Sequence, residues 1–423
     1  MNDKRVGKNG RIKRAAMRAA ILSLGAGAAL FAQQGAPVLR TIYSFGSETN
    51  GGGPETLVAG SGGVLYGTSG SGGSAGIGSV YSLTPPASAG HAWTENLLYS
   101  YTGDDFIGQF NALAVGEGGV LYGVNSDGGS GFGEVYSLAP PADPGGAWVY
   151  TALYDFTGFP NGANPTALVV NGGVLYGLAS GGLSNGAGGI YSLTPPASPD
   201  GAWTENVLCN FAVRYGANFL GLAVGEGGVL YGVNRGAPGQ VDGIAYSLTP
   251  PQATGGAWTF DVLYTFVGGG GPKSPNALSI GSGGILYGSS RTGGTGAGAD
   301  CASSGCGTIY SLTPPTEPGG DWTATVLYSF DVEPGSFSES GIVIGVGGVI
   351  YGSTSRGNGA IFSLTPPVES GAAWTEAVLY QFAPNPNGGR APGNLVFGAG
   401  GALYGTTGVG GRNGYGTVFQ LRP

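Results

Sequence analysis

Side chains that carry most enzyme chemistry are scarce in this sequence of 423 residues, which has one histidine and three cysteines. The histidine, His91, lies in the turn-like stretch SAGHAW. A lone histidine in a turn argues against a Ser-His-Asp triad and against a histidine-rich metal site. The Gly-rich stretches, such as GTSGSGGSAGIG, lack the GK[ST] ending of a phosphate loop. We therefore predict no catalytic residue, no metal and no cofactor.

The cysteines predict a modest structural feature. Cys301 and Cys306 lie five residues apart in ADCASSGCG. In an oxidising compartment we expect a local disulfide between them, and a metal held by two thiolates is the alternative. Cys209 replaces a tyrosine that recurs elsewhere, and we expect it to be a free, buried thiol.

The first 32 residues differ from the rest of the chain. Seven of the 16 basic residues lie between Lys4 and Arg18, and an apolar run from Ala19 to Ala32 follows. A basic start, a short apolar run and small residues near its end are typical of a secretory signal peptide. We predict that residues 1–32 are this signal and that residues 33–423 form one domain. An uncleaved membrane anchor is the alternative, although the run is short for a membrane span.

The charge of residues 33–423 limits the classes of partner. Removing residues 1–32 takes away seven of the 16 basic residues and one of the 24 acidic residues, which leaves a formal charge of −14. An acidic surface argues against nucleic acid or anionic lipid as a partner, because both require a cationic face. We expect a monomer that is secreted, periplasmic or attached to the cell surface, with no transmembrane segment after signal removal.

Internal repeats dominate the sequence. The triplet LYG or IYG occurs seven times, at spacings of 53 to 64 residues. An apolar stretch such as ALAVG precedes each triplet, and a Gly-rich loop and a segment such as VYSLTPP follow it. Six copies continue into a Trp-led segment such as WTENLLYSY. The repeated tyrosines are Tyr66, Tyr122, Tyr176, Tyr231, Tyr287, Tyr351 and Tyr404, and the tryptophans are Trp93, Trp148, Trp203, Trp258, Trp322 and Trp374.

Each repeat predicts four short strands, which we call A (ALAVG), B (GVLYG), C (VYSLTPP) and D (WTENLLYSY). The Pro-Pro pair ends strand C because proline cannot donate a ladder hydrogen bond. Four-stranded repeats of this length and number are typical of a β-propeller. An open solenoid is the alternative.

The distribution of D strands favours a closed ring. The seventh copy reaches Pro423 without a D strand, whereas the D-like segment Val38–Phe45, VLRTIYSF, stands alone before the first A strand. Placing this segment beside the last C strand would leave no unpaired edge between the chain ends. We predict an all-β fold: a seven-bladed β-propeller with four antiparallel strands per blade, in which residues 38–45 close blade 7.

The repeat resembles a known family. The pattern LYGTT…GG…GTVF-L, best preserved in Leu403–Leu421, resembles the GloVer-type tandem repeat of exported bacterial proteins, and the resemblance covers residues 38–423. It implies export and a repeat architecture, and it implies no particular activity. The upstream copies diverge, with LYGVN or LYGLA in place of LYGTT.

The recurring tyrosines and tryptophans have two interpretations. Periodic aromatic residues in an apolar repeat favour packing of one blade against the next. The alternative is a lectin in which these rings stack on sugars.

The position of the charged residues indicates a ligand face. In a propeller the B-to-C and D-to-A connections emerge on one face, and loops on a rigid scaffold are where binding sites usually lie. Seven basic residues of blades 4–7 fall there: Arg214, Arg235, Lys273, Arg291, Arg356, Arg390 and Arg412. Over blades 1–3 the same face carries Glu48, Asp104, Asp105 and Asp127. We expect this face to bind an anionic or polyhydroxylated ligand; alternatively, charges simply occupy the most exposed loops.

The function favoured by these observations is that of an exported, non-catalytic propeller that binds a glycan or an extracellular protein at the cell surface or in the medium. The alternative is a polysaccharide-active enzyme, a lyase or a hydrolase, that uses carboxylates and tyrosines on the same face.

Overall fold

The computed structural model describes residues 37–46, 51–88, 90–102, 112–143, 145–183, 188–198, 201–215, 218–236, 241–253, 255–268, 270–296, 301, 304–317, 319–331, 341–355, 359–369, 371–382 and 390–423. The predicted signal peptide and the predicted site residues Asp104, Asp105 and Arg356 lie outside these ranges, as does Glu48.

The described residues form 28 strands in seven four-stranded sheets. Blade 1 contains β2 (Gly52–Ala59), β3 (Leu65–Ser71), β4 (Ser79–Thr84) and β5 (Thr94–Ser100); blade 2 contains β6 (Ala112–Val115), β7 (Leu121–Asn125), β8 (Glu134–Ala139) and β9 (Val149–Asp155). Blade 3 contains β10 (Asn161–Asn171), β11 (Val174–Leu183), β12 (Gly189–Thr194) and β13 (Thr204–Asn210); blade 4 contains β14 (Phe219–Val224), β15 (Leu230–Asn234), β16 (Ile244–Thr249) and β17 (Thr259–Thr265). Blade 5 contains β18 (Pro272–Ile280), β19 (Leu286–Gly293), β20 (Thr308–Thr313) and β21 (Thr323–Ser329); blade 6 contains β22 (Val343–Ile344), β23 (Ile350–Thr354), β24 (Ala360–Thr365) and β25 (Thr375–Gln381). Blade 7 contains β26 (Arg390–Phe397), β27 (Leu403–Val409), β28 (Thr417–Arg422) and β1 (Val38–Ser44).

Short 3-10 turns join strands A and B in six blades, and one more precedes β14. They span Ser61–Gly63, Glu117–Gly119, Val213–Tyr215, Glu226–Gly228, Ser282–Gly284, Val346–Gly348 and Ala399–Gly401. In each of the six A-to-B turns the second residue is a glycine with positive φ, for example Gly118 at 66°. Glycine adopts this conformation without steric cost, which explains why the turn sequence is always x-Gly-Gly.

The ring closes as the sequence predicts. The N-terminal strand β1 pairs antiparallel with β28, from Val38 opposite Arg422 to Ser44 opposite Thr417. Phe45, directly after β1, is fully buried in a cluster that also holds Tyr81 of blade 1. The seven-bladed propeller with a shared last blade is therefore confirmed, and the open solenoid is wrong.

The glycine of each LYG triplet makes room for an aromatic ring of the neighbouring strand. Gly177 on β11 lies opposite Tyr191 on β12, and a methyl group at Gly177 would overlap the Tyr191 ring. The same contact occurs in every blade, because strand C always places tyrosine or phenylalanine over this glycine. The triplet is thus a packing motif within the blade.

A second set of aromatic contacts joins each blade to the next. The aromatic residue at the end of strand D packs edge-to-face on the strand C ring of the following blade, with ring centroids 5.1 to 6.1 Å apart. The seven pairs are Phe45–Tyr81, Tyr101–Tyr136, Phe156–Tyr191, Phe211–Tyr246, Phe266–Tyr310, Phe330–Phe362 and Phe382–Phe419. This arrangement repeats around the whole ring, including the junction between the chain ends.

The tryptophans also connect blades. Trp148 of blade 2 packs edge-to-face on Tyr66 of blade 1, with ring centroids 5.9 Å apart, and equivalent pairs recur at four other junctions. The strand β1 has no tryptophan, and at the junction of blades 6 and 7 Phe397 contacts Tyr351 instead, at 5.7 Å. The blade-packing interpretation of the repeated tyrosines and tryptophans is confirmed.

Four strand C tyrosines bury a hydroxyl group that has no hydrogen-bond partner among the described residues, namely Tyr81, Tyr191, Tyr246 and Tyr310. Burial raises the pKa of Tyr310 far above its ordinary value, so the hydroxyl is neutral and no ionic interaction offsets its burial. Blades 6 and 7 have phenylalanine at this position, Phe362 and Phe419. Leaving a polar group unpaired in the core costs about 1–3 kcal/mol.

We therefore expect Tyr310→Phe to raise the free energy of unfolding by about 1 kcal/mol, because it removes an unpaired hydroxyl and leaves the ring in place. Denaturant unfolding measures the change. The matched variant is Tyr136→Phe, which removes a hydroxyl that accepts a hydrogen bond from Tyr101 Oη at 2.7 Å and should lower stability. Equal changes in stability in the two variants would contradict the assignment of the Tyr310 hydroxyl as unpaired.

Cys301 and Cys306 form a disulfide, with an S–S distance of 2.03 Å and Cα atoms 5.0 Å apart. Both residues are buried, and they belong to the same cluster as Phe330 and Phe362 between blades 5 and 6. The insertion in the B-to-C loop of blade 5 is thus anchored in the core. Cys209 forms no disulfide and is half-buried, which corrects the expectation of a buried thiol; burial nevertheless raises its pKa to about 11.

Candidate functional site

The B-to-C and D-to-A connections leave the same end of every blade, and we call this surface the loop face. The order of antiparallel strands in each sheet places the described predicted residues there. They are Arg214, Arg235, Lys273, Arg291, Arg412, Asp127 and, by its backbone position at the start of β26, Arg390. The geometry of each junction between two blades decides which of these residues lie close together.

Blades 1, 3, 5 and 7 extend further toward the loop face than their neighbours do. In these blades strand A carries a proline, at Pro54, Pro165, Pro275 and Pro392, and the A and B strands are longer than in blades 2, 4 and 6. In blade 5 the added pairing reaches Pro272 opposite Gly293. The loop face therefore carries projecting two-stranded hairpins at alternate blades.

Each described hairpin of blades 1, 3 and 5 is clasped by the preceding blade. The residue before the proline has positive φ and donates its backbone N–H to a carbonyl of the preceding B-to-C loop, as Ser274 does to Asp242 at 2.8 Å. The proline ring then packs on a loop glycine with positive φ, as Pro275 does on Gly243. A side chain at that glycine would collide with the proline. The clasp fixes the loop of blade 4 against strand A of blade 5.

Three predicted cations lie at this clasped junction of blades 4 and 5. The half-buried Arg235 donates through Nη2 to Oδ1 of Asn276, which is 9% exposed and lies on strand A of blade 5. Lys273 lies 3.9 Å from Asp242, with 29% and 43% of the two side chains exposed. Arg291, near the end of β19 in the same hairpin as Lys273, is exposed. We call Arg235, Lys273 and Arg291 the basic cluster.

The other predicted residues are separate from the basic cluster. Arg214 is exposed and packs over the ring of Tyr215, with Cζ 4.7 Å from the ring centroid. Asp127 is half-buried, and its backbone N–H donates to Asn125 Oδ1 in a local turn. Arg412 lies on the far side of the ring, in the B-to-C loop of blade 7. The predicted set is therefore one compact cluster and several isolated residues.

Acidic residues of the loop face are less separated from the basic residues than the sequence predicts. Asp242 and Asp331 also lie on this face, at blades 4 and 5, and the prediction omitted both. Asp242 neutralises part of the charge of Lys273. The cationic half is accordingly a smaller region, centred on Arg235 and Arg291.

The opposite face, formed by the A-to-B and C-to-D turns, differs clearly in charge. These turns contain no lysine or arginine in the whole sequence, and Arg422 lies at the end of β28 that faces this side. Their described acidic residues are Glu117, Asp143, Glu226, Glu317, Asp321 and Glu369. If charges simply followed exposure, both faces would carry both signs. The segregation argues for a specific role of the basic residues.

Sequence reasoning missed an aromatic pair on the loop face. Phe132, in the B-to-C loop of blade 2, is 44% exposed, and Phe159, in the D-to-A loop that follows, is 71% exposed. The Phe132 ring lies against Gly158, so the two loops meet. Both phenylalanines fall outside the repeated aromatic positions, and that departure from the repeat was the available signal. Exposed ring faces of this kind suit apolar contact with a ligand.

A buried polar network lies between blades 1 and 2. Tyr150 donates to Oε1 of Glu134 at 2.5 Å, and its ring stacks on those of Tyr99 and Tyr136, with centroids 4.4 and 5.2 Å apart. Burial and the Glu134 carboxylate raise the pKa of Tyr150 far above its ordinary value. Glu134 is 4% exposed, so this network stabilises the interface and is closed to a ligand.

Neither a candidate metal site nor a candidate membrane-spanning helix occurs in the described ranges. No group of three or more histidine, cysteine, aspartate or glutamate side chains there could hold a metal ion. No helix in that part of the chain is long and apolar enough to cross a membrane.

Solved structures resemble this fold at low identity. The extracellular domains of two hybrid two-component systems from B. thetaiotaomicron match with TM-scores of 0.51 and 0.52, at 11% and 10% identity. The matches cover 92% and 90% of this chain, and 41% and 39% of those chains. A gluconolactonase from Xanthomonas campestris matches with a TM-score of 0.44 at 14% identity, over 90% of this chain and 99% of that chain. The two likenesses with TM-scores above 0.5 show the fold alone.

A search of curated protein sequences finds no match to this chain. The family model described as the Gloeobacter/Verrucomicrobia repeat matches residues 90–300, from the end of blade 1 into blade 5. This match confirms the predicted GloVer-type resemblance, and the structure shows the same four-stranded unit in the blades on either side. The chain is therefore a Gloeobacter/Verrucomicrobia repeat protein.

Proposed function

We propose that this protein is an exported, non-catalytic propeller that binds an acidic glycan on its loop face. The observation that carries the proposal is the basic cluster, in which the Arg235 guanidinium donates to the buried Asn276, on the same hairpin of blade 5 as Lys273 and Arg291. A guanidinium fixed by a buried amide loses little conformational freedom when it binds an anion, which favours binding.

A glycan fits this face better than a second protein does. Guanidinium and ammonium groups bind carboxylate or sulfate through charge-assisted hydrogen bonds, and the exposed rings of Phe132 and Phe159 can support a pyranose ring. The acidic turn face would repel the same polymer, so binding would have one orientation. An acidic extracellular protein is the other ligand that the cations would accept.

Export is part of the proposal. The basic and apolar pattern of residues 1–32 suits a signal peptide, and the disulfide Cys301–Cys306 suits an oxidising compartment. Residues 33–423 then form one secreted or surface-attached domain that works as a monomer. Mass spectrometry of the exported protein would place its first residue after Ala32, and a mature chain that retains residues 1–32 would argue for an anchor.

We expect the double variant Arg235→Gln/Arg291→Gln to bind acidic polysaccharide at least tenfold more weakly, because each charge-assisted hydrogen bond contributes about 1.5–3 kcal/mol. Retention on immobilised acidic and neutral polysaccharides, measured at two salt concentrations, tests this. Binding by the unmodified protein should weaken as salt rises.

The matched control is Arg40→Gln/Arg422→Gln, which removes the same charge from two exposed arginines of blade 7 that lie away from the loop face. Unchanged retention of the first variant, with thermal unfolding also unchanged, would refute the loop-face site. New reducing or unsaturated ends in the incubated polysaccharide would instead favour the enzyme alternative.

A further inference from the structure

A groove lies where the two ends of the chain meet, between strand β1 of blade 7 and the start of strand D of blade 1. Its volume is about 600 Å³, within the usual range of about 300–1,000 Å³ for small-ligand pockets. It is lined by Thr41, Ile42, Tyr43, Ser44, Ala92, Trp93, Gly411, Arg412 and Asn413. Of these lining residues Ile42 and Gly411 are buried, whereas Thr41, Ala92, Arg412 and Asn413 are exposed.

The sequence of blade 7 departs from the repeat at the groove. At the position of Thr41 the other D strands carry an apolar side chain: Leu97, Ala152, Val207, Val262, Val326 and Val378. The B-to-C loops of blades 7 and 1 have the same form, GGRNGYG and GGSAGIG, and each makes the same isolated bridge, Gly410–Tyr415 and Gly72–Ile77. Blade 7 has Arg412 and Asn413 where blade 1 has Ser74 and Ala75. Compared with blade 1, the same loop of blade 7 therefore adds a cationic and an amide side chain at this junction.

Two aromatic walls of the groove are held in place by neighbouring residues. Trp93 packs edge-to-face on Tyr404, with ring centroids 5.7 Å apart. Tyr43 packs edge-to-face on Phe45 at 5.0 Å, and its hydroxyl donates to Glu95 Oε2 at 3.4 Å. Burial and the Glu95 carboxylate raise the pKa of Tyr43 to about 12, so its hydroxyl is neutral. Both rings are preorganised surfaces, whose ordering a ligand need not supply.

The rim of the groove offers one charge and several hydrogen-bonding groups. Arg412 has neither a hydrogen bond nor an ion-pair partner within the described part of the chain. Asn413 donates through Nδ2 to the carbonyl oxygen of Gly46 at 3.1 Å, which fixes the amide plane. The hydroxyl groups of Thr41 and Ser44 complete a lining in which aromatic, cationic and neutral polar groups converge.

We propose that this groove is a second, independent binding site, which takes a pyranose ring that bears a carboxylate, as in a hexuronate. The ring would lie against Tyr43 and Trp93, the carboxylate would accept hydrogen bonds from Arg412, and ring hydroxyls would bond to Asn413 and Thr41. The site shares no residue with the basic cluster, so it does not rest on the loop-face function. A surface made only of repeated residues would recur in every blade. This groove instead includes Thr41, Arg412 and Asn413, at which blade 7 differs from blade 1.

The test is calorimetric titration of the full mature chain with a hexuronate tetrasaccharide and with a neutral hexose tetrasaccharide of the same linkage. The main variant, Arg412→Ser/Asn413→Ala, gives blade 7 the residues that blade 1 already tolerates in the same loop. We expect it to weaken hexuronate binding at least tenfold, because it removes the charge-assisted hydrogen bonds from Arg412 to the carboxylate. Thr41→Leu, which copies Leu97 of blade 1, should weaken it as well by narrowing the groove.

Two comparisons make the outcome decisive. Every titration is repeated in the Arg235→Gln/Arg291→Gln background, in which acidic glycan bound at the basic cluster no longer adds to the signal; hexuronate binding at the groove should persist there and should still be lost with Arg412→Ser/Asn413→Ala. The neutral tetrasaccharide should bind more weakly than the hexuronate. Absence of hexuronate binding by the unmodified chain, or equal affinity after both groove variants, overturns the proposal and leaves the loop-face proposal to its own test.

Discussion

A chain that begins at Gly46 should lose about 5 kcal/mol or more of folding free energy, and most of its resistance to heat. It lacks β1, so β28 loses the antiparallel partner that runs from Val38 to Ser44. It also lacks the buried Ile42 and Phe45, and removing one such side chain typically costs about 2–5 kcal/mol. A domain is stabilised by only about 5–15 kcal/mol in total, so this deletion should approach the limit of stability. Thermal unfolding followed by circular dichroism measures the loss.

A circular permutant separates the contribution of the strand from that of its position in the chain. Residues 37–45 are moved behind Pro423 through a short Gly-Ser linker, and the chain again begins at Gly46. Val38 lies opposite Arg422 in the native pairing, so a few linker residues suffice. This permutant should regain the thermal stability of a chain that begins at Pro37. If the truncated chain were as stable as that chain, β1 would not close the ring.

Gly177→Ala should destabilise the protein by about 3 kcal/mol. A methyl group there would overlap the Cζ and Oη atoms of Tyr191. Tyr191 is fully buried and cannot move away, because the ring of Phe156 packs on it at 5.1 Å. Inserting a methyl group into a packed core costs about 1–3 kcal/mol, and the upper end applies where the neighbour is fixed on both sides. Denaturant unfolding of the variant gives the change in free energy.

The control is Gly181→Ala in the same strand, β11, where no atom lies within 4 Å of the added methyl group. Both changes add one methyl group to one strand, so intrinsic strand propensity largely cancels between them. Gly181→Ala should alter stability by less than about 0.5 kcal/mol. Similar losses of stability in the two variants would mean that Gly177 is required for the backbone conformation and that its contact with Tyr191 is unimportant.

The sequence was sufficient to predict strands, blade number and closure because each depends on a local pattern repeated seven times. Six D segments after C strands and one before the first A strand leave a single ring arrangement, and β1 pairs with β28 as that arrangement requires. The repeated tyrosines and tryptophans were also correctly assigned to packing. Periodicity alone could not show that Trp148 contacts Tyr66 of the preceding blade, since both partners recur in every repeat.

The candidate site was predictable only in outline. Strand direction alone assigns Arg235, Lys273 and Arg291 to one face. Their partners Asn276 and Asp242 were not predictable, because these contacts cross from one blade to the next and depend on the clasp at Pro275. The proline recurs only in alternate repeats, which was an available signal for the projecting hairpins.

Taken by itself, the sequence determined the all-β repeat, its order and its closed ring, because short-range spacing of glycine, proline and apolar residues dictates where strands begin and end. Only the tertiary structure decided which side chains meet across blades, as in the groove that brings Tyr43 and Trp93 together with Arg412. These three residues come from opposite ends of the chain, and their distance depends on the twist and packing of two blades. Such a distance is a property of the assembled ring and has no local signature.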